Sequence, residues 1–168
     1  MKEEIIKTQS WDEIFMRHVY LISTKSKDPN TKIGAILVRD GIIISEGFNG
    51  FPRGVKDYKK RYEDRELKYK YVVHAEENAI FNAARNGIKT TGSIMYTSGL
   101  PCNECAKSLI QAGVVKVIIH SNYPSMSEKW VESIKITRQM FRESGMIIQE
   151  FEKPLGLETV LSGNVVSV

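Results

Sequence analysis

Apolar residues near the start of the chain recur every three or four positions, which is the spacing of one face of an α-helix. The pattern predicts an amphipathic helix over residues 11–22, with Ser10 as its N-cap and Glu13 as the capping-box partner. Pro29 disfavours helical backbone at the residue before it, so we expect the helix to have ended by then.

Two runs that are apolar nearly throughout and rich in β-branched residues follow this helix, over 33–38 and 42–48. The Asp40-Gly41 pair between them favours a hairpin, because both residue types tolerate positive φ. Since the runs barely alternate with polar residues, we expect two paired strands that are covered on both faces.

The rest of the chain alternates between helical spacing and short β-branched runs. These patterns predict strands at 93–97, 114–120 and 146–151, and helices at 75–86, at 101–112 and from Ser125 or Ser127 to about 144. Strands that alternate with helices after an opening hairpin indicate an α/β domain with a mixed sheet. We expect one domain over 1–168 with its core at about 11–151, whereas the tail, 152–168, loses periodicity and has no assignment.

Composition and charge narrow the class of protein. No apolar run in the 168 residues is long enough to span a bilayer, and the N-terminus lacks the apolar segment and cleavage site of a secretory signal. We therefore expect no membrane partner and a cytoplasmic location, in the cell or in an infected host. The net charge of +4 is modest. Many of the basic residues lie over 53–70 among acidic ones, which is typical of a solvated loop or short helix, although a patch that attracts nucleotide phosphates is the alternative.

Three side chains that zinc prefers lie in two short segments, His74 in the first and Cys102 with Cys105 in the second. A structural zinc site normally has four protein ligands, whereas a catalytic site has three and leaves one position to water. The chain has only two cysteines, both in one C-x-x-C, so it holds no second pair that would close a four-cysteine site. The sequence therefore predicts one catalytic zinc ion per chain.

The order His74-x-Glu76, then Pro101-Cys102-x-x-Cys105, is the signature of zinc-dependent nucleobase deaminases. Zinc can lower the pKa of a bound water from about 16 to about 7. Glu76 lies close to the predicted ligands without being one, so we expect it to carry the proton of that water to the substrate ring and to assist the departure of ammonia. If the cysteines occupy the first turn of a helix that begins at Pro101, the helix N-terminus lowers their thiol pKa and the i, i+3 spacing places both sulfurs on one face.

Two other interpretations of the C-x-x-C remain open. A thioredoxin-like redox pair would use the cysteines but would leave His74 and Glu76 unexplained. A structural zinc knuckle would need a fourth ligand recruited from a distance, for which His18 or His120 is available. We otherwise expect both of these histidines to be packed, hydrogen-bonded residues.

Beyond the zinc motif, four segments resemble the deoxycytidylate (dCMP) deaminase family in content and order, and the resemblance covers about 11–151. They are Ser26-Lys27-Asp28-Pro29-Asn30 with its continuation to Ala35, the Gly-Phe-Asn-Gly-Phe-Pro of 47–52, and the segments 74–79 and 101–107 that carry the zinc motif. The resemblance implies hydrolytic deamination of dCMP to dUMP and ammonia. It also implies the cytidine-deaminase fold, a three-layer sandwich with a five-stranded mixed sheet between helices, and a homo-oligomer, with a hexamer favoured.

The same resemblance implies further site residues. Asn49 matches an asparagine that contacts the sugar and base of the substrate, and Tyr123 matches a tyrosine of the substrate pocket. Ala75 and Lys27 complete the expected substrate-binding set. Lys25, Lys27 and Arg53 flank the two motifs and are the candidates for contacts with phosphate.

Family members are often activated by dCTP and inhibited by dTTP with Mg²⁺. The corresponding turn in this chain holds Gly47, Phe48, Gly50 and Arg53, although as a glycine-rich turn it is equally consistent with a simple connection. Some members also bind a second zinc ion through a variable segment. That segment, 54–71, contains no histidine or cysteine in this chain, so we expect a single zinc ion.

Three rival functions share the zinc motif. A tRNA-editing adenosine or cytidine deaminase would need a basic groove for its RNA, which the modest net charge permits, but the Asp28-Pro29-Asn30 segment favours the nucleotide enzyme and no nucleic-acid partner. A deaminase that accepts dCTP would differ only in its phosphate contacts. A non-catalytic zinc-stabilised module would keep the zinc ligands and have no use for Glu76.

Overall fold

A computed structural model describes residues 8–121 and 130–168. Its elements, in chain order, are α1 (Trp11–Ser23), β1 (Gly34–Arg39), β2 (Ile42–Phe48), α2 (Lys59–Glu63), α3 (Arg65–Tyr71), α4 (Ala75–Arg85), β3 (Ile94–Thr97), α5 (Asn103–Gln111), β4 (Lys116–His120), α6 (Val131–Ser144), β5 (Ile147–Phe151), β6 (Glu158–Leu161) and β7 (Asn164–Ser167). The predicted end of the last helix is confirmed, whereas its two candidate caps, Ser125 and Ser127, lie outside the described residues. Among these residues, no helix combines the length and the apolar character that crossing a membrane requires.

The central sheet has five strands in the order β2-β1-β3-β4-β5. β1 runs antiparallel to both β2 and β3, while β3, β4 and β5 are parallel to one another. The α5 helix makes the crossover between β3 and β4 that a parallel pair requires. The predicted mixed sheet is confirmed.

Different helices cover the two faces of this sheet. Along β1, Ala35 and Leu37 belong to the core cluster that includes buried side chains of α4, α5 and α6. The alternate residues Ile36 and Val38 belong to a second cluster with the buried side chains of α1. Because successive strand residues point to opposite faces, one strand contributes to both cores, and the result is the predicted three-layer sandwich.

The predicted hairpin is present, but only one of its strands is covered on both faces. Asp40 and Gly41 have the positive φ values of 53° and 75° that the turn requires. β1 is buried along almost its whole length, whereas β2 is mostly half-exposed and Ile42 is 66% exposed. The expectation was wrong for β2 because β2 is an edge strand, and an apolar run alone does not distinguish an edge strand from a central one.

The predicted cap of the first helix is confirmed in part. The Ser10 hydroxyl accepts a hydrogen bond from the backbone N–H of Glu13 at 3.2 Å. The Glu13 carboxylate does not complete the capping box. It is buried against Arg17, at 3.3 Å, and against Lys153, beyond the last strand of the central sheet.

The C-terminal residues, which had no assignment, form a second, two-stranded sheet from β6 and β7. Backbone hydrogen bonds dock this hairpin on the segment before β1, from Lys32 N–H to the carbonyl of Val160 at 2.9 Å and from Gly163 N–H to the carbonyl of Asn30 at 2.8 Å. Val168 is buried in the cluster beneath α1. The Ser162-Gly163 pair between two β-branched runs is the sequence signal that would have predicted this hairpin.

Candidate metal centre and substrate cavity

Two helix N-termini meet beyond the carboxyl end of β3. His74 is the N-cap residue of α4, and Cys102 is the N-cap residue of α5, with Cys105 in the first turn of α5. The expectation that the second helix begins at Pro101 was wrong by two residues. Cys102 instead caps the helix with its own sulfur, which accepts from the backbone N–H of Cys105 at 3.5 Å. The positive ends of two helices favour negative charge on sulfur at this place.

The distances between the three predicted ligands fit a zinc ion. His74 Nδ1 lies 3.4 Å from the sulfur of Cys102 and 3.4 Å from the sulfur of Cys105. Zinc–sulfur bonds of about 2.3 Å and zinc–nitrogen bonds of about 2.0 to 2.1 Å put the two ligand atoms about 3.5 Å apart at a tetrahedral angle. Within the described ranges, the cluster around His74 contains these three residues and no fourth ligand. A donor set of one imidazole and two thiols is what zinc prefers, and three protein ligands leave one position for water.

The other histidines do not supply a fourth ligand. The His120 ring is buried, with Nδ1 2.8 Å from the Tyr20 hydroxyl and Nε2 3.1 Å from the carbonyl oxygen of Lys153. His18 Nε2 lies 2.8 Å from a carboxylate oxygen of Glu46. His120 is the packed, hydrogen-bonded residue that was predicted, whereas His18 is hydrogen-bonded but its side chain is 33% exposed, so it is not a core residue. Neither histidine lies with the three candidate ligands to close a zinc knuckle.

The charges of the cluster are strongly coupled. A hydrogen bond from the Cys105 thiol, helped by His74 and opposed by burial, lowers the pKa of Cys102 to about 4. The same hydrogen bond, together with burial, raises the pKa of Cys105. The hydrogen bond with Cys102 raises the pKa of His74 to about 9. The site therefore already stabilises one thiolate, and a cation that binds all three ligands releases the remaining protons.

Glu76 lies beside the cluster and is not part of it. Its side chain is buried, and Oε2 is 3.7 Å from the sulfur of Cys105. Burial is the main cause that raises the pKa of this carboxyl group, and the charge of His74 opposes it. A buried carboxyl group beside three candidate metal ligands is suited to proton transfer.

A cavity of about 340 Å³ leads away from these residues. Its lining includes His74, Ala75, Glu76 and Cys102. Asn49 lines it as well, and its amide is held in place because Oδ1 accepts from the N–H of Ile33 at 2.8 Å and Nδ2 donates to the carbonyl of Thr31 at 2.9 Å. An asparagine amide has two N–H groups, and only one of them has a partner within residues 8–121 and 130–168, so the other is available to a ligand.

The three residues predicted to contact phosphate do not line this cavity. Lys27, also predicted to bind substrate, does not line the cavity and pairs with Asp57 at 2.5 Å on the outside of the molecule. Arg53 hydrogen-bonds to the side chain of Asn82, and Lys25 is not a lining residue either. Tyr123 lies outside the described residues.

The glycine-rich turn has a backbone role that does not depend on an effector. A Cβ atom on Gly47 would lie 2.3 Å from the carbonyl oxygen of Ala75, so only glycine lets β2 approach α4 so closely. The carbonyl of Phe48 accepts from the Asn78 amide at 2.8 Å, and Gly50 pairs with Val73 in an isolated β-bridge. The turn thus holds the start of α4, where His74 lies, against the sheet.

Several residues of the cavity were missed by the sequence interpretation. The Trp130 ring stands edge-on to His74 and Tyr69, with centroids 6.3 Å and 6.4 Å away. Lys68 of α3 forms a buried ion pair with Asp28 at 2.9 Å, and the hairpin contributes Leu161 and Ser162. These residues carry no local motif, because only the fold brings α3 and the hairpin to this cavity. The aspartate of the Asp28-Pro29-Asn30 segment was the one feature of the sequence that pointed to this part of the cavity.

Residues 9–121 match the family described as the cytidine and deoxycytidylate deaminase zinc-binding region. The deoxycytidylate deaminase of Homo sapiens is 39% identical over 149 residues, which cover 84% of this chain and 79% of that protein. An uncharacterized deaminase in the luxG 3′ region of Aliivibrio fischeri is 36% identical over 81% of this chain and 90% of its own length. Among solved structures, the dCMP deaminase of cyanophage S-TIM5 in complex with dCMP and dUMP has a TM-score of 0.64 at 27% identity, over 83% of this chain and 95% of that chain.

Proposed function

The chain belongs to the cytidine and deoxycytidylate deaminase family, and from that premise we propose that it is a zinc-dependent enzyme that hydrolyses dCMP to dUMP and ammonia. The observation that carries the proposal is the arrangement at the two helix starts. His74 Nδ1 lies 3.4 Å from each cysteine sulfur, and a carboxylate oxygen of Glu76 lies 3.7 Å from one of them. The choice of dCMP as substrate is supported by relatives that are named for this reaction.

In this proposal, His74, Cys102 and Cys105 hold one zinc ion per chain. When bound, zinc supplies the Lewis acidity that makes a water nucleophilic near neutral pH. Glu76 takes one proton from the attacking water and delivers it to the ring nitrogen beside the attacked carbon. It then takes the second proton from the hydroxyl group now bonded to that carbon and gives it to the amine, so that the C=O bond forms as the C–N bond breaks and ammonia leaves. The burial of Glu76 keeps bulk water from competing for these protons.

The rest of the cavity binds and orients the nucleotide. The free N–H of the Asn49 amide donates to the substrate, and the hydrogen bonds of this amide to Ile33 and Thr31 hold it in position before the substrate arrives. The Trp130 ring, edge-on to His74, forms an apolar wall for the pyrimidine. Ala75 lies in the wall next to His74, where a small side chain leaves room for the base.

The finer predictions from the resemblance stay proposals. They are a homo-oligomer with a hexamer favoured, activation by dCTP, and inhibition by dTTP with Mg²⁺ through the turn that contains Gly47, Phe48, Gly50 and Arg53. A single domain over 1–168 and a cytoplasmic location are likewise predictions. The tight packing of Gly47 on α4 supports a link between this turn and the metal site.

The test is the release of ammonia by zinc-loaded protein from deoxycytidine, dCMP, dCTP and an adenosine-containing RNA stem-loop. We expect turnover of dCMP in preference to the others. Turnover of the RNA alone would indicate a tRNA-editing deaminase. A preference for dCTP would make dCTP the substrate in place of dCMP. Absence of ammonia release from all four compounds would favour a non-catalytic zinc module. Adding dCTP, or dTTP with Mg²⁺, to the dCMP reaction tests the regulation.

A further inference from the structure

Two segments that the family motifs do not include line the cavity where both attach to residues 28–31, through Asp28 on one side and Asn30 on the other. One is α3, which contributes Arg65 and Lys68, and the other is the tip of the C-terminal hairpin, which contributes Ser162. Almost a hundred residues separate these segments in the chain. We call this part of the cavity the outer end.

Arg65 is a positively charged residue of the outer end, and no neighbouring carboxylate among the described residues neutralises its charge. Lys68 is committed to Asp28 in a buried pair at 2.9 Å, which is neutral as a unit. Glu63, an acidic residue that also lines the cavity, pairs with Lys59 at 3.4 Å. Within residues 8–121 and 130–168 no carboxylate pairs with Arg65, whose guanidinium lies 5.8 Å from the centre of the Tyr69 ring.

Ser162 offers a hydroxyl group at the same end, on a turn of defined geometry. The φ values of Ser162 and Gly163, 52° and 81°, are both in the left-handed region that a two-residue hairpin turn requires. The turn is held on the segment before β1, because Gly163 N–H donates to the carbonyl of Asn30 at 2.8 Å and Ser162 N–H lies 3.4 Å from the Thr31 hydroxyl. Among the described residues the Ser162 hydroxyl has no hydrogen-bond partner of its own.

The direction of the substrate follows from the chemistry. The amine-bearing carbon of the pyrimidine must reach His74, Glu76 and Cys102, so the sugar and its 5′ substituent occupy the rest of the cavity, which Arg65 and Ser162 line. A guanidinium group presents several N–H donors in a plane that matches phosphate oxygens, and such charge-assisted hydrogen bonds are the strong ones.

Resting on the function proposed above, we propose that Arg65 and Ser162 bind the 5′-phosphate and that Arg65 makes the enzyme select a nucleotide over a nucleoside. Lys68 has a different part, since its pair with Asp28 anchors α3 and thereby positions Arg65. Phosphate recognition is thus assigned to the segment 54–71 and to the C-terminal hairpin, and the surface residues Lys25, Lys27 and Arg53 have no part in it.

Equilibrium binding of nucleotide tests phosphate recognition independently of catalytic turnover. The titration compares dUMP, the product, with deoxyuridine on zinc-loaded wild-type protein and on Arg65→Gln, Ser162→Ala and Lys60→Gln. The last variant is the matched control, because Lys60 is exposed on α2 in the same segment and does not line the cavity. Steady-state kinetics with dCMP and deoxycytidine accompany the titration.

We expect Arg65→Gln to weaken binding of dUMP and to raise KM for dCMP by about 10- to 100-fold, since one charged contact is lost. Binding of deoxyuridine should not change, and Ser162→Ala should show a smaller loss confined to dUMP. Unchanged dUMP binding in Arg65→Gln would overturn the phosphate site while leaving the deaminase intact. An equal loss of dUMP binding in Lys60→Gln would also overturn it, because the effect would then come from the overall positive charge of the segment 54–71 and not from a contact with Arg65. Absence of turnover and of binding for every ligand would instead reject the function itself, and this inference with it.

Discussion

The hydroxyl group of Thr137 donates a hydrogen bond to the carbonyl oxygen of Pro101 at 3.0 Å, and both residues are buried. The helix α6 thereby holds the backbone immediately before Cys102. Ser133, one turn earlier on the same face, accepts from the N–H of Asn103 at 2.9 Å. Two polar side chains of α6 therefore position the N-cap that supplies a metal ligand.

Replacing Thr137 should lower both the stability of the fold and the affinity for zinc. In Thr137→Val the Pro101 carbonyl stays buried without its donor, which costs about 1 to 3 kcal/mol in the free energy of unfolding. We expect this loss in urea unfolding, together with earlier loss of zinc to a chelator. Thr137→Ser keeps the hydroxyl and is the control. Equal zinc retention by the valine and serine variants would show that the hydrogen bond does not position the ligand.

Glu76→Gln should abolish turnover without removing zinc. The amide has nearly the shape of the carboxylate but cannot shuttle a proton, and general acid–base catalysis contributes about 10²- to 10⁴-fold. Zinc content measured on purified protein should match that of the wild type. Glu104→Gln is the control, because Glu104 is exposed on α5 and pairs with Lys107 at 2.6 Å. Wild-type ammonia release by Glu76→Gln would remove this residue from the mechanism.

Gly47→Ala should displace α4 and with it His74. The new Cβ atom would meet the carbonyl oxygen of Ala75 at 2.3 Å and the backbone nitrogen of Ala79 at 2.4 Å. Overpacking of this kind costs about 1 to 3 kcal/mol, so we expect a lower midpoint of unfolding and weaker zinc binding.

The neighbouring Gly50→Ala is the matched control for this substitution. Its nearest contact would be 3.7 Å, with a ring carbon of Phe48, and its backbone pairing with Val73 is kept. Similar unfolding midpoints for the two variants would show that the sheet and α4 can separate without cost.

His120 should make the protein less stable in mild acid. The carbonyl of Lys153 can only accept, so Nε2 carries the proton and Nδ1 accepts from the Tyr20 hydroxyl. Burial lowers the pKa of His120. The unfolded chain then binds the proton first, so the stability is fully present above the ordinary histidine pKa of about 6.5 and is lost as the pH falls toward the lower folded value.

The measurement is the free energy of unfolding of zinc-loaded protein between pH 8 and pH 5, compared with His120→Gln. The wild type should lose up to about 1.4 kcal/mol more per pH unit than the variant in this window. The metal site contributes equally to both proteins and cancels in the difference. Parallel curves would mean that His120 is protonated in the folded state without penalty.

The sequence by itself determined the elements and the candidate metal ligands. Helical spacing, β-branched runs and the Asp40-Gly41 turn are local signals, and each produced an element at nearly its predicted place. The zinc residues were predictable for a related reason. Zinc binds a small set of side chains, and two ligands on one helix turn must lie three or four positions apart, so Cys102 and Cys105 form a recognisable local motif.

Only the tertiary structure decided which strand lies at an edge and which residues surround the substrate. Both strands come from mostly apolar runs, although β2 includes Ser45 and Glu46, and the exposure of β2 follows from its place at the edge of the sheet with a single neighbour. Arg65, Trp130 and Ser162 come from three distant segments whose meeting depends on how α3, α6 and the hairpin pack. Long-range packing of this kind leaves no fixed spacing in the chain, so the outer end of the cavity could be found only after the chain was folded.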